Sequence, residues 1–321
     1  IYNLRENSKF KIDKSRKLIN SYTREEFEKK FCRIHYRPFD IRYLFYDDSV
    51  IERMRKEVML NVQESNIGLI SVRQVAENNF NHSFITDSII ESRMTLSNKG
   101  IAYLYPLYIL TNGVEKIFYG IKEPEIEYIS GNKTKQGLVK TDNFKDDFRK
   151  FFKSKYKGTY SPEQILGYIY AVLHSPTYRT KYLEFLKIDF PRIPFTDVEN
   201  LFIKLSEIGF DLIEHHLLKR TYSDNICRMS GIGDNYKVEN VEYKQEKAWI
   251  NKERCFEPIH KEIWNFQIGG YQVLDKWLKE RKKHEITLSG EDIQHFIKVV
   301  NVLDYTNKTM GIIDDLTNDW I

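Results

Sequence analysis

The stretch from Ser161 to Pro194 constrains the fold more than any other part of this sequence. Ser161-Pro162-Glu163-Gln164 places a hydroxyl at a helix N-cap, a proline in the first turn, and a glutamine three residues past the cap. Ile165, Leu166, Ile169, Val172 and Leu173 then recur at helical spacing and predict an amphipathic helix. Ser175-Pro176 opens a second, shorter helix that should end near Lys187. Phe190-Pro191-Arg192-Ile193-Pro194 cannot be helical, because two prolines remove donors and fix the backbone. Thr196 with Glu199 spells another capping box, predicting a long helix to about Lys219.

The flanks read differently. A polar helix over 13–31 leads into Cys32-Arg33-Ile34-His35-Tyr36-Arg37-Pro38-Phe39-Asp40, where the apolar period shortens toward two. Residues 67–75, 84–90 and 100–110 are β-branched or aromatic runs bounded by Asn, Gly and Ser, and predict strands. A helix is expected over 49–60. Residues 130–160 lack periodicity and are rich in Lys, Gly, Asn and Thr; they read as a solvated loop or as a basic insertion that touches phosphates. Short strands return over 220–270, including 238–243, before helices over 271–283, 289–303 behind a third cap, and 306 to the end. The expectation is α+β: a strand-rich lobe over about 1–160, then a helix-rich lobe over about 161–321 that includes the short strands. Both belong to one module of 321 residues.

Function classes fall away in turn. The chain has no G-x-x-x-x-G-K-[ST] loop, no Asn/Asp/Ser-Pro-Pro-aromatic tetrapeptide, no G-x-S-x-G elbow and no H-E-x-x-H helix. No apolar run approaches the roughly 18 residues of a membrane span, and no signal peptide is recognisable. Cys32, Cys227 and Cys255 are odd in number and far apart, which fits reduced thiols in a cytoplasm. The first residue is Ile1 rather than Met, and this predicts a fragment of a larger protein. Asp234 with Glu242-Tyr243-Lys244 is the one constellation resembling a Mg²⁺ nuclease site. Glu-x-Lys is common in a chain this rich in both residues, however, and Asp234 stands in a Gly-Asp-Asn turn. His215 and His216, adjacent on a helix, point to different faces and read as packing or surface residues rather than metal ligands.

Net charge is only +4, so charge distribution matters more than the total. From Arg149 to Arg192 nine Lys/Arg face three acids, and 276–283 holds a second basic cluster. Such patches neutralise phosphates or are simply solvated. Lys133, Lys135, Arg179, Lys181 and Lys283 are the candidate phosphate contacts. Arg, Gln and Asn carry paired donors or acceptors that match base edges, which makes Arg73, Gln74, Arg93 and Gln267 candidate readers.

Several segments also resemble a known family. Tyr36-Arg37-Pro38-Phe39-Asp40-Ile41-Arg42 is similar to the opening motif of the C-terminal specificity domain of type ISP restriction–modification enzymes, with related modules in type IIG enzymes. Gly167 to Arg179 (GYIYAVLHSPTYR) is the most specific match and continues through Phe190 to Pro194. Gly209-Phe210, His215 to Leu218, Trp264 to Tyr271 and Trp277-Leu278-Lys279 follow in the family's order. The resemblance implies a target-recognition module for duplex DNA with no catalytic centre of its own. The implied parent is a bacterial, cytoplasmic enzyme whose upstream adenine methyltransferase uses S-adenosylmethionine and whose nuclease uses Mg²⁺. It gives no list of base contacts. The shared motifs read as scaffold, with readers expected in less patterned stretches such as 72–93 and 131–157. The alternatives are a Mg²⁺ nuclease built on Asp234, Glu242 and Lys244, and a protein-interaction scaffold with a large exposed apolar patch.

Overall fold

The computed structural model describes residues 12–62, 65–95, 97, 99–111 and 138–321. The polar opening segment forms two helices, α1 (Ile12–Ser21) and α2 (Arg24–Glu28), in place of one helix over 13–31. Thr23 is the break. Its hydroxyl accepts from the Glu26 N–H and the Glu26 carboxylate accepts from the Thr23 N–H, a complete capping box that starts a new helix. The hairpin β1 (Phe31–Arg37) and β2 (Asp40–Phe45) follows, with Phe39 at φ 59 in its tight turn and fully buried. The helix expected over 49–60 is reduced to one turn, α3 (Lys56–Met59), running into a 3-10 turn at Leu60–Val62.

The three longer strand segments are each shortened or split. β3 (Gly68–Val72) ends before Arg73. β4 (Phe84–Thr86) pairs with β3, but β5 (Ile89–Ile90) pairs with β1. Between them Thr86 Oγ1 donates to Ser88 O and accepts from the Ser88 N–H, closing a turn. β6 (Ala102–Pro106) lies along the other edge of β3, and after Pro106 the chain leaves that sheet so that β7 (Tyr108–Thr111) pairs with β8 (Val139–Asp142). Inside the segment 130–160, expected to be irregular, lies a helix, α4 (Asp146–Lys155). Its Phe148 and Phe152 face Phe195, and Phe152 also meets Phe202, an aromatic stripe that the surrounding lysines mask in the sequence.

α5 (Pro162–His174) starts on the expected Ser161–Gln164 capping box, and α6 (Pro176–Lys181) with α7 (Leu183–Leu186) completes the second helical segment. α8 (Glu199–His216) does not start on Thr196. Its N-cap is Val198, Thr196 Oγ1 accepts from the Val198 N–H, and Glu199 instead accepts from the Tyr160 hydroxyl and the Gly158 N–H. The short strands form an antiparallel sheet of β9 (Arg228–Gly231), β10 (Glu242–Lys244), β11 (Lys247–Trp249) and β12 (Arg254–Glu257), in the order β10-β11-β12-β9. α9 (Lys261–Trp264), the small hairpin of β13 (Gln267–Ile268) and β14 (Tyr271–Gln272), and α10 (Val273–Lys283) come next. α11 (Gly290–Thr317) is one helix where two are expected, because Asp304 and Tyr305 remain helical and Tyr305 stacks on His215 at 3.6 Å. The whole is α+β, and among the described residues no helix is long and apolar enough to cross a membrane.

α5 and α8 touch backbone to backbone. A Cβ on Gly209 would stand 1.9 Å from Gly167 O, and one on Gly167 would stand 2.3 Å from Ser206 O. Only glycine permits this approach, so GYIYAVLH and the GF of α8 are helix-packing signals. The strand-rich and helix-rich regions share their cores. Phe39, Ile70, Phe84 and Ile89 pack in one cluster with Phe256, Trp277, Phe296 and Val300, while Val72 and Phe80 join Tyr168 and Phe202 in another. The YRPFD turn is latched to α10: the buried Asp40 carboxylate bonds Arg42 at 2.8 Å and Arg281 at 3.2 Å, and Arg281 lies 3.4 Å over the Trp277 ring. His216 lies buried at the centre. Thr306 Oγ1 donates to Val302 O, so His216 Nε2 must donate to Thr306 Oγ1, and Nδ1 accepts from Tyr170 Oη. Burial pushes its pKa down to about 3 and keeps the ring neutral.

Candidate nucleic-acid interface

The face that gathers most of the candidate readers is built from loops that leave buried strands and return to buried anchors. After β3 the chain passes Arg73 and Gln74, is pinned where the Val75 N–H reaches Lys187 O, and re-enters the core at Phe80. Asn81 fastens this loop to the β13–β14 hairpin: its side-chain amide donates to Gln267 O at 3.0 Å and its carbonyl accepts from the Gly269 N–H at 2.8 Å. The turn after β5 joins them, since Thr95 O accepts from the Gly270 N–H. Gly269 has φ +59, and a Cβ there would fall 1.8 Å from Thr95 O, so the hairpin lies flush against that turn. Ser97 and residues 99–101 follow, with Ser97 Oγ donating to Gln74 O and Ala102 N–H donating to Ser92 O.

Arg73, Gln74, Arg93 and Gln267 are all exposed, and these bonds tie together the loops that carry them, up to 194 positions apart in the sequence. Asn78 and Asn79 are exposed further along the segment that carries Arg73 and Gln74, and Lys99 is exposed in a recess with those two. Glu91, Glu77 and Asp189 each have a partner. Glu91 accepts from Arg37 at 2.5 Å, from Ser92 Oγ and from the Arg93 N–H, which fixes the turn that carries Arg93. Glu77 accepts from the Ala76 N–H and lies 3.4 Å from His82 Nε2, and Asp189 takes Arg73 Nε at 3.3 Å. These loops therefore present guanidinium, ammonium and amide groups, with Glu91 and Glu77 turned to internal partners and Asp189 paired with Arg73 itself. Arg73, Gln74, Lys99 and Tyr103 also line a recess of about 240 Å³.

The candidate phosphate residues are not brought together. Lys133 and Lys135 lie outside the described residues. Arg179 turns inward, its Nε donating to Leu173 O at 2.6 Å, and burial lowers its pKa to about 10. Lys181 donates to Ile321 O. Lys283 is exposed at the last turn of α10, about 15 Å along the helix from the hairpin side. The basic excess over 149–192 is partly offset by acids outside that window: Asp142 pairs with Arg149 at 2.7 Å, and Asp197 pairs with Lys155. Asp146 and Asp147 are exposed in the first turn of α4, whereas Asp314 accepts from the Thr177 N–H and so holds the start of α6.

The nuclease constellation comes apart. Glu242 and Lys244 sit on β10, one edge of the four-stranded sheet, while Asp234 follows β9 at the opposite edge. Three strand spacings, about 14 Å, separate those edges, against the roughly 2 Å reach of a Mg²⁺ ligand. His215 and His216 are packing residues: His215 bonds Tyr222 and stacks on Tyr305. The three cysteines are free thiols, with Cys227 and Cys255 buried.

Beside the amide-rich face runs an apolar groove of about 530 Å³, lined by Tyr182, Phe185, Ile188, Phe190, Ile193 and Pro194. Phe185 is 69% exposed there and Ile188 62%. Phe190 meets Tyr103 edge-on at 4.9 Å, so the two surfaces are continuous.

Asn78, Asn79 and Lys99 escape the sequence reading as individuals, because two asparagines in an unpatterned loop look like turn formers. The stretch that holds the two asparagines, 72–93, is flagged only by its lack of family pattern, and Lys99 lies outside it.

The profile described as the Type ISP C-terminal specificity domain matches residues 2–312. No curated protein matches the chain. Among solved structures, a nuclease-deletion mutant of the Type ISP restriction-modification enzyme LlaGI, in complex with a DNA substrate mimic, is similar at TM-score 0.61 and 18% identity, covering 88% of this chain and 24% of that one. The ATP-dependent Type ISP enzyme LlaBIII bound to DNA gives TM-score 0.66 and 18% identity over 91% of this chain and 19% of its own. A DrdV–DNA complex gives 0.67 and 18% over 92% and 29%. The chain thus spans less than a third of each of these proteins.

Proposed function

Because this chain belongs to the Type ISP C-terminal specificity domain family, we propose that it reads a DNA target site on behalf of a larger restriction–modification polypeptide. The observation that supports this reading is the exposure of Arg73, Gln74, Asn78, Asn79, Arg93, Lys99 and Gln267 on loops bonded to one another, with Glu77 and Glu91 held by internal partners. Such groups attract phosphates and offer the donor–acceptor pairs that distinguish base edges. Arg73, Gln74, Arg93 and Gln267 are the assigned readers, with Lys99 and Lys283 on phosphates. LlaGI, LlaBIII and DrdV were each captured with DNA or a DNA mimic, which supports duplex DNA as the ligand. The chemistry belongs elsewhere in the polypeptide: an adenine methyltransferase using S-adenosylmethionine and a Mg²⁺-dependent nuclease, working in a bacterial cytoplasm. This domain's part is to fix register and orientation on the duplex.

The test is retention of a randomised duplex pool by the purified chain at about 50 mM and about 200 mM salt, with sequencing of what is retained. Two neutralised phosphates give a roughly 12-fold loss of affinity between those salts. An enriched asymmetric motif supports the reading, and salt-independent binding or none overturns it.

A further inference from the structure

The loop between β3 and β4 has a construction that a plain surface loop does not need. Val75 and Phe80, both about fully buried, anchor its two ends. Backbone bonds tie it on one side to Lys187 and on the other to Gly269, and the Asn81 side chain adds a bond to Gln267 O. Between the anchors, the one carboxylate, Glu77, folds back onto the Ala76 N–H and toward the buried His82. What remains outward at the tip is a pair of adjacent amides, Asn78 and Asn79. Arg73 is exposed just before the first anchor, Lys99 lines a recess with Arg73 and Gln74, and Arg93 is exposed in the turn whose Thr95 bonds the neighbouring hairpin.

A primary carboxamide carries one donor and one acceptor side by side. That pair matches the N6 donor and N7 acceptor of adenine in the major groove, whereas the two parallel donors of arginine match guanine O6 and N7. Pinning the loop at both ends lowers the entropy lost when its tip is fixed against a base. We propose that Asn78 and Asn79 are specificity-determining residues that read adenine on its major-groove edge. This rests on the DNA-reading function above, and it assigns the recognition of an A·T pair to this loop and of guanine to the flanking arginines.

The experiment uses the 321-residue chain and the duplex it enriches from a randomised pool. Asn78→Ala and Asn79→Ala are each passed through the same enrichment, with thermal melting to confirm an intact fold. The expected result is loss of preference at an A·T position, with discrimination there falling by about 10-fold or more, while binding to unrelated duplex is unchanged. Asn78→Asp or Asn79→Asp, which keeps the acceptor and removes the donor, should move the preference toward cytosine. A second measurement leaves the protein untouched: replacing the specified adenine by 7-deazaadenine removes the N7 acceptor. It should weaken wild-type binding by about 10-fold and leave the alanine variant indifferent. If both alanine variants enrich the wild-type motif, or weaken all sequences equally, the assignment is overturned while DNA reading stands. If the wild-type chain enriches nothing, both fall together.

Discussion

Replacing Gly209 by alanine should destabilise the fold, although alanine is the better helix former. The gain in helix propensity is about 1 kcal/mol. Against it, the new Cβ would stand 1.9 Å from Gly167 O, and a carbon–oxygen contact needs about 3.3 Å. α5 and α8 must then part by about 1.4 Å, a gap that forfeits much of the dispersion energy along their seam. Tyr168, Leu205 and Leu212 line that region and are fully buried, so the loss spreads through two core clusters. Overpacking of this kind costs about 1–3 kcal/mol and sometimes more, and the rigid backbone on both sides puts this case at the upper end. The net expectation is about 2–3 kcal/mol of destabilisation. Gly311 is the internal control: it lies inside α11, and a Cβ there meets nothing within 4 Å. Gly311→Ala should stabilise by about 0.8–1 kcal/mol. Urea unfolding followed by far-UV circular dichroism measures both. If the two variants move the midpoint in the same direction, close helix approach is not what requires glycine at 209.

Stability should fall on acidification. The buried His35 and His216 have pKa values lowered to about 3 from 6.5, so below pH 6.5 the unfolded chain takes up protons that the fold excludes. The stability these two contribute is full above pH 6.5 and is lost as pH falls toward 3. At pH 5 each accounts for roughly 2 kcal/mol, read as a lower urea midpoint at pH 5 than at pH 7; a flat profile refutes the neutral burial of these rings. Asp40→Asn leaves Arg42 and Arg281 facing a neutral amide at the latch and should cost about 3 kcal/mol in the same assay. An unchanged midpoint means that the latch is inert. Arg73→Ala should relax one base position at a cost of about 1–3 kcal/mol in binding, whereas a uniform loss over all sequences assigns Arg73 to phosphate.

The parts of this molecule legible in its sequence are those decided within a few residues. Ser161 caps α5 because the whole capping box lies within one turn. The same pattern at Thr196 misleads, because Tyr160, 39 positions away, takes the Glu199 carboxylate for itself. α4 is hidden for a related reason: Phe148 and Phe152 reveal a buried stripe only once Phe195 and Phe202 are beside them. The site behaves likewise. Residue chemistry singles out Arg73 and Gln74, but not that Arg93 and Gln267 join them, since backbone bonds from Gly269 and Gly270 to Asn81 and Thr95 make that surface. Arg179 looks like a surface cation in the motif, yet the packing of α5, α6 and α8 turns it toward His174 and His216.

The shared core also sets a timetable for synthesis. Phe39, Ile70 and Phe84 are made early, but their partners Phe256, Trp277 and Phe296 come some 200 residues later. At about 5–20 residues per second the ribosome needs roughly 10–40 seconds to cover that distance. Throughout that interval the nascent strands keep their inner faces uncovered, the condition in which exposed β edges pair wrongly. The latch between Asp40 and Arg281 can close only when α10 has left the ribosome, so this chain completes its fold late, as a unit.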